Sequence, residues 1–193
     1  MVKVAIHQPN FMPWYPFFQK VAAVDVFCIL TKCQFEKNNF QNRFKLGDRW
    51  HTMSVNKGLD PIETKRYLNP NEDWNKINEN LKEFSEELER FKSCITGSLA
   101  GTNISIIREA CQILGINTKI VYDWNTELLN TERLVDICET FEADTYLAGS
   151  GGSASYLDTD MFSKKGIDVV FQSPETMIKK PLLEVLKYGP IDN

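Results

Sequence analysis

Two prolines set just after an apolar run constrain this chain more than any other feature. Val2-Lys3-Val4-Ala5-Ile6 has the branched, apolar character of a strand buried in a sheet, and the loop after it reads His7-Gln8-Pro9-Asn10-Phe11-Met12-Pro13-Trp14. Pro9 and Pro13 lack the amide proton that a helix or a sheet ladder would need, so the strand stops at His7. Past Pro13, Trp14, Phe17, Phe18, Val21 and Ala22 recur at helical spacing, and Val24 to Leu30 is a second apolar run broken only by Asp25. So short a crossover predicts parallel pairing of the two strands. Parallel open sheets take their ligands beyond the carboxyl ends of the strands, which is where His7, Gln8 and Asn10 stand.

The rest of the chain keeps alternating. A short strand is predicted from Trp50 to Val55 after a turn at Asp48, with His51 read as a surface histidine. Asn69-Pro70 opens a long helix in which Trp74, Ile77, Leu81, Phe84, Leu88 and Phe91 recur every three to four residues against a charged outer face. That face carries opposite charges at helical neighbour spacing and reads as solvated. Gly97 and Gly101 bracket a turn, a helix follows from Ile104 to Leu114 with Gly115 as its cap, and a strand runs from Asn117 to Tyr122. A helix from Thr131 to Phe141, a strand at Thr145 to Ala148, a short helix ending near Lys164, a strand at Ile167 to Phe171 and a tail helix from Pro181 to Tyr188 complete the pattern. This predicts an α/β fold: one domain over residues 1–193, with a doubly wound, mostly parallel sheet of about five strands and a helical lobe inserted around 70–101.

Two further stretches carry chemistry. Thr31 to Arg43 is rich in amides and cations around Phe35 and Phe40, and Lys37 and Arg43 are suited to pair with an anion. Local composition by itself favours a solvated loop. Ala143 to Ser153 delivers a strand into Gly149-Ser150-Gly151-Gly152, where glycines permit positive φ and let backbone amides approach phosphate or carboxylate. The spacing matches neither the dinucleotide fingerprint nor the Walker A loop, so no cofactor is named by it.

Composition narrows the partners. A formal net charge of −4 and a pI near 5.3 give no overall basic field for nucleic acid. The N-terminus has one lysine and a few apolar residues before Pro9, which predicts neither a leader nor a spanning segment and hence a cytoplasmic protein. Cys28, Cys33, Cys94, Cys111 and Cys138 form no C-x-x-C pair, and only His7 and His51 could join them, so reduced thiols are expected and no metal site.

Taken in order, I-H-Q-P-N-F-M-P-W-Y-P-F-F-Q-K-V-A, Q-F-E-K-N-N-F-Q-N-R, D-T-Y-L-A-G-S-G-G-S-A-S-Y-L-D and G-I-D-V-V-F-Q resemble the WbqC-like family, across about Val2 to Gly189. That family is associated with bacterial O-antigen and related surface-polysaccharide clusters, and a glycine-transferase role has been suggested for it. On this chain its motifs fall on His7, Gln8, Pro9, Pro13 and Trp14, on Gln34, Phe35, Lys37, Asn42 and Arg43, and on Gly149, Gly151, Gly152, Tyr156 and Leu157. Thr31 stands where the family often has an aspartate, and the segment after Phe171 is shorter than usual.

The resemblance implies a transferase that acts on a phosphorylated or nucleotide-linked sugar, by glycyl or acyl transfer onto an amino sugar. In it His7 is the general base. Gln8, Asn10, Trp14, Gln34, Lys37, Asn42, Arg43, Ser150, Gly151, Gly152 and Tyr156 hold the substrate. Two alternatives stay open: a nucleotidyltransferase-like enzyme, which the strand and histidine-bearing loop loosely suggest, and a non-catalytic sugar- or nucleotide-binding accessory protein.

Overall fold

The computed structural model describes residues 1–122, 127–151 and 157–190. In chain order the elements begin with β1 (Lys3–His7), α1 (Tyr15–Ala22), β2 (Val26–Ile29), β3 (Arg43–Leu46) and β4 (Arg49–Thr52). Next come α2 (Pro70–Asn80), α3 (Ser85–Glu89), α4 (Leu99–Ile113), β5 (Lys119–Tyr122) and α5 (Asn130–Thr140). The described elements end with β6 (Thr145–Ala148), α6 (Thr159–Ser163), β7 (Asp168–Phe171) and α7 (Leu182–Tyr188). They fall into two compact units, the first made of Met1–His7, Phe18–Leu30 and Ile116–Met177, the second of Gln8–Phe17, Thr31–Gly115 and Ile178–Asn193.

The first unit is a five-stranded sheet in the order β5-β2-β1-β6-β7, with every neighbouring pair parallel. From β1 the chain works outward through β2 to β5, then returns to the other side of β1 for β6 and β7. Strand order therefore reverses between β1 and β6. With right-handed crossovers this reversal puts the β1-to-β2 and β6-to-β7 connections on opposite faces, the doubly wound α/β arrangement. All four residues of β2 are buried, as expected of a strand covered on both faces. Tyr146 of β6 stacks on Phe162 of α6 with ring centroids 4.9 Å apart, tying that helix to the sheet.

The second unit grows around Phe11 of the proline loop. Its fully buried ring lies 5.8 Å from Phe44, 6.1 Å from Tyr67 and 6.4 Å from Trp74. β3 and β4 form an antiparallel hairpin closed by Gly47-Asp48, with Gly47 in the left-handed region that a two-residue hairpin turn requires. β3 begins at Arg43, the last residue of the polar stretch. The sequence pattern does not reveal it, because Arg43-Phe44-Lys45-Leu46 is only four residues long.

The helix predicted through Trp74 and Phe91 is broken. α2 stops at Asn80, Leu81 leaves helical geometry at φ −122° and ψ 43°, and a 3-10 turn at Lys82–Phe84 leads into the short α3. The predicted apolar residues are nonetheless all buried. Asn78, Asn80 and Ser85 have side chains that compete for backbone hydrogen bonds, so the path bends while the buried stripe survives. α4 starts earlier than expected, because Ser98 caps it by accepting the Gly101 amide proton at 3.1 Å, which puts Gly101 inside the first turn.

Candidate functional site

The carboxyl edge of the first unit holds three of the predicted residues, His7, Ser150 and Gly151. β1 and β6 are neighbours, with Lys3 opposite Thr145 and Val4 opposite Tyr146. Counting three residues on along each strand brings His7 level with Gly149, and Ser150 and Gly151 leave the sheet beside it. His7 is half-buried, and its carbonyl accepts the Leu30 amide proton from the end of β2 at 2.9 Å. Ser150 is half-buried and Gly151 exposed. Gly151 is not in the left-handed region, and a side chain there would meet open space, so the backbone freedom expected of this glycine is not used at that position. Gly152 and Tyr156 lie outside the described residues.

At this edge the β1–β6 ladder opens. Pairing is confined to Lys3 and Val4 although β1 continues to His7 and β6 to Ala148. The carbonyls of Lys3 and His7 bond toward β2, and that of Val2 toward β6. By the alternation of a parallel ladder, the Ile6 carbonyl faces β6. What it accepts is the Lys20 Nζ proton, at 3.1 Å. Lys20 is buried, and burial alone pushes its amine down to about 8. The motif reading passes over Lys20, yet a signal exists: it shares the buried stripe of α1 with Pro16 and Phe17, four and three residues back.

The other predicted residues belong to the second unit, where a saturated polar hub holds the loops. Fully buried Asn103 donates from Nδ2 to the carbonyls of Pro9 at 2.9 Å and Gln41 at 2.7 Å, and its Oδ1 accepts from the Tyr67 hydroxyl at 3.0 Å. Gln41 Nε2 donates to Gln8 Oε1, and the Phe11 amide donates to the Phe40 carbonyl at 2.8 Å. Burial raises the Tyr67 phenol well above its ordinary pKa, so it stays a hydroxyl donor. Met12, next to Pro13, sits at φ 44°, a strained conformation for a residue with a Cβ. Loop 8–14 is thus held from several sides.

The stretch from Thr31 to Arg43 is likewise tied down and not merely solvated. The carbonyls of Thr31 and Cys33 accept the amides of Glu63 and Ile62, both at 2.9 Å, and Gln34 bridges Pro61. Asn42 is buried and donates to the Met53 carbonyl at 2.8 Å, a structural bond. Arg43 stacks 4.0 Å over the Trp50 ring, donates from Nη2 to the Asn38 carbonyl, and keeps its Nε buried with no hydrogen-bond partner among the described residues. Gln34 and Lys37 are exposed, Asn10 is half-buried, and Trp14 is half-exposed. His51, expected at the surface, is buried and stacked on Phe44 at 5.1 Å, because it occupies the inward side of β4. Sequence reading overlooks Asn103 as the hub: an asparagine inside a helix resembles any other until its two loops are folded around it.

Other features carry less chemistry. A hollow of about 400 Å³ opens at the amino edge of the same sheet, lined by residues such as Val2, Lys3, Asp25 and Thr145. It lies at the opposite end of β1 from His7, and the Asp25 carboxylate there already accepts the Lys3 amide proton at 2.8 Å. None of the five cysteines forms a disulfide, and burial raises the thiol pKa of Cys94, of Cys111 to about 11 and of Cys138 to about 12. Among the described residues no three His, Cys, Asp or Glu side chains converge on a metal position, and no helix is long and apolar enough to cross a membrane.

Fold and edge together define a parallel α/β protein whose strand order reverses beside a histidine. Residues 8–180 match the WbqC-like protein family, and the chain belongs to that family. It is 31% identical over 190 residues to the uncharacterized protein Rv1507c of Mycobacterium tuberculosis, covering 89% of this chain and 82% of that one. No solved structure matches it.

Proposed function

We propose that the chain is a transferase of bacterial surface-polysaccharide assembly, placing a glycyl or other acyl group on the amino group of a nucleotide-linked sugar. The observation that carries this reading is the reversal of strand order between β1, which ends at His7, and β6, whose chain runs on into Ser150-Gly151. The polysaccharide context comes from the family resemblance.

His7 takes a proton from the acceptor amine as the nitrogen attacks the acyl carbonyl. The Gly151 amide and the Ser150 hydroxyl, which in the free protein lies 4.0 Å from Met177 Sδ, are the proposed donors to the oxygen that becomes negative, and collapse of the tetrahedral intermediate expels the donor's leaving group.

The test offers the purified chain uridine-diphosphate amino sugars with aminoacyl donors and follows the sugar by mass spectrometry. The expected product is a sugar heavier by one acyl group, and His7→Gln should slow its formation by about 10²- to 10⁴-fold with the melting temperature unchanged. Sugar binding without any transfer in the unaltered protein would replace this reading with that of an accessory binding protein.

A further inference from the structure

We propose that Lys20 is the anion-holding cation of the carboxyl edge, taking a phosphate group of the substrate where the pairing of β1 with β6 stops. This deepens the reading above and rests on its assignment of the site to that edge. Three observations converge on it. The β1–β6 ladder stops at Val4 and Tyr146 while both strands run on, at the point where strand order reverses. The Ile6 carbonyl, just past the last paired residue on that side, is met by the Lys20 ammonium at 3.1 Å in place of a β6 amide. And the turn bearing Ser150 and Gly151 leaves β6 at the same end.

The chemistry of the lysine fits a missing ligand. An ammonium has three donors, and among the described residues Lys20 uses one of them, on a neutral carbonyl. No carboxylate of the described residues pairs with it, so a charge removed from water is left uncompensated. A lysine retained only for packing would be expected to gain a counter-ion or a full set of carbonyls. A phosphate at this edge would supply the charge and accept the two remaining protons, with the backbone amides of Ser150 and Gly151 as the proposed donors to its other oxygens.

The experiment titrates the full chain with inorganic pyrophosphate, with uridine diphosphate and with uridine, by calorimetry. Pyrophosphate and uridine diphosphate should bind and uridine should not, and Lys20→Met should weaken both by 10- to 100-fold, with exposed Lys164→Met as the neutral control. Lysine-selective ¹³Cε NMR of the unaltered protein reads the same site without substitution, and the Lys20 resonance should move on adding pyrophosphate. Equal affinity in Lys20→Met, a Lys20 resonance that stays in place while pyrophosphate binds, or no pyrophosphate binding at all would each overturn the inference. The two readings fail separately. Loss of pyrophosphate binding in Lys20→Met without acyl transfer by the parent protein leaves the Lys20 site standing and removes the transferase. Transfer with an unchanged KM in Lys20→Met does the reverse.

Discussion

Each unit buries one lysine, and the two are treated in opposite ways. Lys65 in the second unit is fully buried, but its ammonium reaches the carbonyls of Asn56 and Gly58 at 2.9 Å and of Lys57 at 3.3 Å, with Asp60 at 3.6 Å and the Phe35 ring at 5.0 Å. Lys20 in the first unit has one carbonyl. A saturated buried cation organises a loop, here residues 56–60, and asks nothing of a ligand. An undersaturated one at a strand end is a binding group waiting for its partner. The same contrast separates Asn103, with every contact made inside the protein, from the open edge beside His7.

Substitution breaks this contrast most sharply at Lys65. Lys65→Met takes the shared donor from three part-buried carbonyls and should cost about 3–5 kcal/mol, read as a fall in the urea midpoint. Asn103→Leu comes next at about 2–4 kcal/mol, since it leaves the Pro9 and Gln41 carbonyls and the Tyr67 hydroxyl without their partner. Lys20→Met should run the other way. The Lys20 amine sits at about 8 when folded against 10.5 when unfolded, so the folded state holds fewer protons between those values and stability of the ligand-free protein rises with pH across that window. Below pH 8 the buried charge is a standing penalty; removing it, less the cost of orphaning the Ile6 carbonyl, should stabilise by about 2 kcal/mol and flatten the alkaline rise.

The smallest effect belongs to His51. Its pKa is lowered by burial first and by the nearby Arg49 charge second, so the unfolded state takes up a proton before the folded one and stability declines as pH falls below 6.5. His51→Phe, keeping the stack on Phe44, should show up only as a shallower acid slope in melting temperature.

How much was legible in the sequence divides along the same line as the two lysines. β1 and β6 were readable because branched apolar residues run into proline or glycine, and parallel pairing followed from the short first crossover. The helical stripe from Trp74 to Phe91 was readable as burial and misread as one helix, because apolar period records which side chains go inward and not how the backbone gets them there. The polar hub was invisible. Asn42 and Gln41 look like loop residues, and only the fold shows them donating inward, while the opened ladder at Ile6 depends on where β6 stops pairing and leaves no mark in either strand's composition.

The order of the strands also fixes when the edge comes into being. β1 can pair with β2 once the first thirty residues exist, but β6 starts only at Thr145, after the Thr31–Gly115 block of the second unit has been made. Until then the central strand of the sheet presents an unpaired, apolar flank. Closing that long separation carries the entropic cost of a high-contact-order pairing, and the flank is open to wrong pairing in the interval. His7 therefore meets Ser150 and Gly151 late, and a chain cut before β6 would lack both the partner strand of this edge and the last segment of the second unit.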